Sequence, residues 1–415
     1  MNEAVVVDVV RTASGRGKPG GALHDVHPVD LLAGVLEALV RRNDLDPALI
    51  DDVIAGCVQQ VGEQTGNIAR DALLAAGFPE RVPGVSIDRQ CGSSQQAAAF
   101  AAQAVMSGVH DVVIACGVES MSRIPLGTSP IGRDPLGARL RARYPEGLVH
   151  QGVSAELIAA RWGLSRTALD DFAARSHELA TSARASGAFE REIVPVRVPA
   201  PTTAPADGAG AGAPGGDPSP ASRVHDVDET VRPATTRQAL AALPPSFVDE
   251  TIAARFPQID WRITAGNSSP LTDGASAALI MSADRARRLG LRPRARFVSF
   301  SVVGDDPLMM LTGPIPATAR VLERAALAVD DIDAFEVNEA FASVPLAWLA
   351  ETGAPLDRLN PSGGAIALGH ALGSSGTRLL ATLLSRLEAT GGRYGLQTMC
   401  EGGGMANATI IERLG

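Results

Sequence analysis

The sequence predicts a layered α/β protein built from two similar halves, and three features carry that prediction. Apolar β-branched runs alternate with alanine-rich segments of helical period. A faint internal repeat relates the two ends of the chain, and a long excursion separates them. A chain of 415 residues is long enough for two or three domains with a buried core.

In the first half, Val5–Val10, Val53–Cys57, Val82–Ile87 and Val112–Cys116 read as strands because β-branched residues crowd between turn residues. Leu31–Arg41 and Gln95–Val105 carry the helical period. The later strand candidates are Arg296–Val303, Ala334–Val337 and Leu396–Cys400, with a helix over Thr377–Arg386. The repeat lays Leu49–Gly56 against Asp331–Asn338, Val82–Gln103 against Asn360–Leu380, and Val112–Gly117 against Gly395–Gly402.

The excursion runs roughly from Ser120 to Asp249 and contains two helical stretches, Ser154–Trp162 and Leu164–Ser186. Pro199–Ser222 is almost wholly Pro, Gly, Ala, Ser and Thr, which buries too little apolar surface to offset its ordering entropy, so a mobile surface loop is expected there. The division that follows is 1–119 with 250–285 for the first half, 120–249 for the inserted part and 286–415 for the second half.

A formal charge of −9 argues against a nucleic-acid partner. The four cysteines, Cys57, Cys91, Cys116 and Cys400, show neither close pairing nor metal spacing, so free thiols in a reducing compartment are expected, with no metal. Met1-Asn2-Glu3 leads straight into the first strand candidate, without the basic and apolar regions of a signal peptide. No apolar run approaches the roughly 20 residues a spanning helix needs. A cytoplasmic location without membrane insertion is the expectation.

Three glycine-rich segments hold the groups with chemistry. Cys91 follows a strand and precedes Gly92-Ser93-Ser94 and a helix, where free amides favour a thiolate. His370 ends Gly363–His370, ahead of Gly373-Ser374-Ser375-Gly376, and is expected at a helix start where an imidazole donates to an oxyanion or takes a thiol proton. Cys400 ends a strand before Glu401 and three glycines, whose amides could face a ligand. Asn338-Glu339 lies at the carboxyl end of Ala334–Val337, the usual ligand end of an α/β sheet, or else caps the next helix. Cys57 and Cys116 sit among aliphatic residues and read as packing.

Taken in order, these segments resemble the thiolase superfamily. Besides Arg89-Gln90-Cys91-Gly92-Ser93-Ser94, Asn338-Glu339-Ala340-Phe341, Gly363–His370 and Met399-Cys400-Glu401-Gly402-Gly403-Gly404, the likeness includes Asp228–Pro233, Thr264–Ser269 and Asp273-Gly274-Ala275. It covers nearly the whole chain and looks closest to actinobacterial thiolases of lipid and steroid catabolism. The resemblance implies two βαβαβαββ halves in a five-layered α/β/α/β/α core with an inserted loop domain. It implies Cys91 as acylated nucleophile, His370 as its base and an oxyanion donor, and Cys400 as the acid/base thiol. Asn338 would hold a water in the first oxyanion hole, and the amides of Cys91 and Gly402 would form the second.

For coenzyme A, a substrate here and not a bound cofactor, the likeness points to Ser269 and Ala265 at the pantetheine, Arg232 at the nucleotide and His150 in the loop domain. It also implies a homodimer or homotetramer acting on acyl-CoA. The reaction it implies is cleavage of 3-oxoacyl-CoA to acetyl-CoA and a shortened acyl-CoA; acetoacetyl-CoA synthesis or a ketoacyl-synthase-like condensation are the alternatives. The sequence departs from the family pattern at Ala371, where proline is usual, at Ser362, where asparagine is usual, and at Glu401, where an aliphatic residue is usual.

Overall fold

A computed structural model describes residues 2–199 and 222–415 of the chain; most of the expected mobile loop lies outside them. The first half runs β1 (Ala4–Thr12), α1 (Pro28–Arg42), β2 (Asp52–Gly56), α2 (Ile68–Ala75), β3 (Gly84–Ile87), α3 (Ser93–Ser107), β4 (Val112–Ser120) and, after the excursion, β5 (Thr272–Ser282). Helices α4 (Gln151–Arg161) and α5 (Arg166–Ala185) belong to the excursion. The second half runs β6 (Ala295–Gly304), α6 (Pro314–Ala325), β7 (Ala334–Val337), α7 (Ser343–Thr352), α8 (Ser375–Thr390), β8 (Tyr394–Glu401) and β9 (Met405–Arg413).

The strand order is β7-β8-β9-β6-β1-β5-β4-β2-β3. Each half supplies one sheet, and among the described residues the two join only through β1 and β6, at Val5 with Arg296 and Val6 with Ala295. Within the halves β2 runs parallel to β3 and β4, and β7 to β8, while the remaining neighbours are antiparallel.

Three apolar clusters explain the layering. Val112, Ile114, Cys116 and Val118 of β4 pack outward with α1 and α2. Val113 and Ala115, one position out of phase, face inward with Ala97, Ala101 and Val105 of α3 and Leu380, Leu383 and Leu387 of α8. On the far side, Phe335, Val337 and Ile410 pack with Val321 of α6 and Trp348 of α7. The result is the five-layered α/β/α/β/α core that the resemblance implies, with α3 and α8 between the sheets. Strands covered on both faces read as continuous apolar runs, which is why β4 and β1 were legible as strands.

The second half departs from the βαβαβαββ order. Its third strand shrinks to one bridge between Leu359 and Phe335. Asn360 supplies the missing partner: its Oδ1 accepts from Val337 N and its Nδ2 donates to Val337 O, both at 2.9 Å. One side-chain amide thus satisfies both backbone groups that a neighbouring strand would have met.

The excursion is tied back to β1 by buried charge. Arg11 donates to Glu192 at 2.7 Å and holds Asp228 with two bonds of 2.7 and 3.0 Å, all three residues being buried. Replacing Arg11 by methionine strands two carboxylates and should cost about 3–5 kcal/mol. A clear drop in the urea midpoint of unfolding checks this; an unchanged midpoint contradicts it.

Candidate active site

Cys91 sits on a tight turn at the entrance to α3. Gln90 adopts φ 49°, a left-handed conformation unusual for a non-glycine residue, with its amide donating to Asp88 Oδ1 at 2.6 Å. Ser93 fixes the far side, taking the Arg89 amide at 2.9 Å and donating to Gln90 O at 2.6 Å. Among the described residues the amides of Cys91 and Gly402 meet no backbone carbonyl.

The turn brings the nucleophile candidate to the junction of the halves. Cys91 lies in one apolar cluster with Leu372, two residues beyond His370, and Met399, which precedes Cys400. This places Cys91 of the first half among the chain neighbours of His370 and Cys400 of the second.

His370 is not at a helix start, as its sequence context suggests; α8 begins five residues later, at Ser375. What orients it is a backbone clamp, with its amide donating to Thr272 Oγ1 at 2.9 Å. Gly369, at φ 84°, permits this approach, because a Cβ there would meet Thr272 Oγ1 at 2.7 Å. The turn that lost its proline at Ala371 is held by Ser374 and Ser375, whose amides donate to Ala371 O at 3.0 and 2.9 Å.

The hydrogen bonds also settle the imidazole tautomer. The Ser375 hydroxyl donates to Ala371 O at 2.8 Å, so its oxygen accepts from His370 Nδ1 at 2.6 Å. The other nitrogen, Nε2, keeps its lone pair and faces the donating Asn338 Nδ2 at 3.3 Å. Burial, with the Arg378 charge behind it, holds the imidazole down to about 3, so it is a neutral base at working pH.

The thiols behave differently from the expectation that the helix end lowers Cys91. Burial pushes Cys91 well above the ordinary thiol range, and the neighbouring Cys400 and Glu401 add to it. The helix end contributes about 0.3–1 kcal/mol, against several pKa units for complete burial. Burial also pushes Cys400 up to about 12, with Glu401 adding and the Asn338 side chain opposing. Both are neutral in the resting chain, so a thiolate forms only as the proton moves to a nearby base. Cys57 and Cys116 lie in the outer apolar layer and are fully buried.

A groove of about 220 Å³ leads from the surface to His370 between Met121, Leu126, Phe247, Leu271, Phe341 and Leu372. Ser269 and His150 line it; Arg232 and Ala265 do not, and both are exposed. His150 caps α4 by accepting from Gly152 N at 3.1 Å, with its ring 5.5 Å from Phe247. The two walls are pinned to each other, Ser269 N donating to Ala340 O at 3.0 Å and Ala342 N to Asn267 O at 2.9 Å.

Three supporting residues have roles that the sequence reading did not give them. Glu119, buried at the end of β4, accepts from Val58 N, Gln59 N, Gln64 Nε2 and Gly373 N at 2.8–3.0 Å, clasping the two halves beside Cys91. Glu339 accepts from Ser176 Oγ at 2.7 Å, Asn360 Nδ2 at 2.8 Å and Ile366 N at 3.1 Å, so it braces the Asn338 turn and meets the start of the short helix Ala365–Leu368, not the helix that follows it in the chain. Its carboxylate lies against Gly364, where any Cβ would collide with it. Ser375, which sets the His370 tautomer, is visible in the sequence only as one serine of a glycine-rich run. Among the described residues no group of His, Cys, Asp or Glu is placed to hold a metal ion, and no helix is long and apolar enough to cross a membrane.

Residues 4–284 match the thiolase N-terminal domain and residues 291–413 the thiolase C-terminal domain. A steroid 3-ketoacyl-CoA thiolase, FadA6, of Mycobacterium tuberculosis is 47% identical over 423 residues, covering 100% of this chain and 95% of that protein. A 3-ketoacyl-CoA thiolase of Serratia proteamaculans is 44% identical over 418 residues, covering both chains fully. The crystal structure of the Bacillus anthracis acetyl-CoA acetyltransferase superposes with a TM-score of 0.85 at 35% identity, over 100% of this chain and 99% of that one.

Proposed function

The chain belongs to the thiolase family, and from that premise we propose that its two thiols and neutral imidazole carry out thiolytic cleavage of 3-oxoacyl-CoA in lipid or steroid breakdown. The protein is an acyltransferase. The observation that carries the residue roles is that Cys91 packs with Leu372 and Met399, the chain neighbours of His370 and Cys400, and lies close enough to Cys400 to feel its charge, while His370 and Leu372 line the groove.

In the proposed cycle Cys91 Sγ gives its proton to His370 Nε2 and attacks the 3-oxo carbon. The oxyanion is met by His370 Nε2–H and by a water held on Asn338, whose Oδ1 lacks a protein partner among the described residues. Carbon–carbon cleavage releases the enolate of acetyl-CoA, which takes its proton from the Cys400 thiol while the amides of Cys91 and Gly402 hold its thioester oxygen. Coenzyme A then enters, gives its thiol proton to the Cys400 thiolate and attacks the acyl-Cys91 carbonyl; the C–S bond to Cys91 breaks, the shortened acyl-CoA leaves and the Cys91 thiolate takes back the proton from His370 Nε2. Two covalent half-reactions on two thiols divide one difficult cleavage into easier steps. Each well-placed oxyanion donor contributes on the order of 3 kcal/mol.

In this reading Ser269 and His150, which line the groove, receive the pantetheine together with Ala265, and the exposed Arg232 meets the nucleotide end of coenzyme A. The enzyme works as a homodimer or homotetramer; β3 is an edge strand with Val85 41% exposed, a surface suited to a second copy.

A shorter acyl group is the second reading, favoured by the structural likeness to an acetyl-CoA acetyltransferase. A series of 3-oxoacyl-CoAs, from acetoacetyl to bulky ring-derived chains, separates the two through kcat/KM. Values that rise with acyl size support breakdown of longer chains; a preference for acetoacetyl-CoA alone contradicts it.

A further inference from the structure

Glu401 is a carboxyl that the reaction above does not use. It ends β8 directly after Cys400 and is fully buried, and among the described residues neither of its oxygens has a hydrogen-bond partner. Glu119 shows the contrast, being equally buried but supplied with four donors. An ionised carboxylate buried without donors is costly, so the group takes up a proton instead. Burial, with Asp88 adding and Arg89 opposing, raises Glu401 to about 8.

Its position gives that proton a consequence. A Cβ built on Gly92 would collide with Glu401 Oε1 and approach Asn407 Nδ2 at 2.8 Å, so the carboxyl occupies the space that glycine leaves at the first turn of α3. From β9, Asn407 Nδ2 donates to Gly92 O at 3.0 Å and closes the same contact. The charged and titratable groups around Glu401 are Asp88, Arg89 and Cys91 from the turn before α3 and Cys400 from its own strand. Arg89 does not neutralise it, since its Nε is unpaired among the described residues and its Nη1 lies 3.9 Å from Met405 Sδ.

We propose that Glu401 is a positioning residue for Cys91 that supports acylation only as the neutral acid. The neutral carboxyl packs against Gly92 and holds the nucleophile turn; the carboxylate sets a bare negative charge beside the thiolate. As pH rises, loss of the Glu401 proton opposes loss of the Cys91 proton. The wild-type rate of thiolate reactions therefore flattens on the alkaline side.

The inference rests on Cys91 being the nucleophile. Its test is the pH profile of Cys91 alkylation by iodoacetamide, followed by peptide mass in the wild type, Glu401→Gln and Glu401→Leu. Relative to the wild type, both variants should gain about three- to tenfold in rate between about pH 6 and about pH 9.5, as expected for removing a nearby charge in a partly screening medium. Superimposed profiles overturn the proposal, as does a gain in Glu401→Gln that Glu401→Leu lacks. If one variant does not fold, the other alone decides. Acylation of Cys91 by a 3-oxoacyl-CoA in the same wild-type preparation keeps the two claims apart: acylated enzyme with superimposed profiles removes only the Glu401 role, whereas unacylated Cys91 removes the nucleophile assignment.

Discussion

Replacing Cys91 by serine is expected to lower kcat/KM for 3-oxoacyl-CoA cleavage by about 10⁴-fold or more, since removing a covalent nucleophile leaves only binding and oxyanion stabilisation. The effect is large because the environment is selective. The site shifts even a thiol well above its ordinary range, and in the proposed cycle the Nε2 of neutral His370 is the base that takes the proton. A serine hydroxyl, intrinsically far harder to ionise, is beyond a base held down to about 3. The turn itself should survive, because the Gln90, Ser93 and Asp88 bonds that shape it do not involve the sulfur. Unchanged thermal unfolding with lost turnover separates chemistry from folding.

Replacing Cys400 by alanine is expected to lower overall cleavage by about 10²–10⁴-fold, the range for losing a positioned proton donor. Its signature is a split between half-reactions. Cys91 remains able to take an acyl group from a shortened acyl-CoA, because His370 still activates it and the departing coenzyme A thiolate, a far weaker base than an enolate, can leave without the Cys400 proton. Carbon–carbon cleavage stalls, since the enolate loses its proton source. Quenched-flow analysis with radiolabelled substrate reads both steps. Unimpaired cleavage in Cys400→Ala would instead favour a condensing enzyme that works with one cysteine.

Much of the fold was legible because its central strands are buried on both faces and read as plain apolar runs, as Val5–Val10 and Val112–Cys116 do. Two long strands, β5 and β9, escaped the residue-by-residue reading. β5 opens with Thr272-Asp273-Gly274-Ala275-Ser276, small and polar residues of which Thr272 alone is β-branched, so the strand signal is weak. β9 likewise mixes Asn407 and Thr409 among its apolar residues. The replacement of a strand by the Asn360 side chain is invisible in any periodicity, because it is a single long-range contact.

At the site, glycines marked the right segments, yet the reasons are specific to each. Gly92 makes room for Glu401, Gly364 for Glu339 and Gly369 for Thr272. Sequence context placed Cys91 at a helix end but overrated what that end does to its proton. Local sequence shows a helix terminus; it does not show how deeply the thiol is buried or that a second thiol and a carboxyl lie beside it. Ser375 and Glu119 were unreadable for the same reason, since their roles depend on partners brought close by folding.

The most direct test of the central claim is to mix the enzyme with a 3-oxoacyl-CoA in the absence of free coenzyme A, quench rapidly and map the adduct by mass spectrometry. The shortened acyl group should appear on Cys91, together with one equivalent of acetyl-CoA per site, and should disappear when coenzyme A is added. Release of acetyl-CoA with no acyl group on Cys91, or with the group on Cys400, would contradict the account.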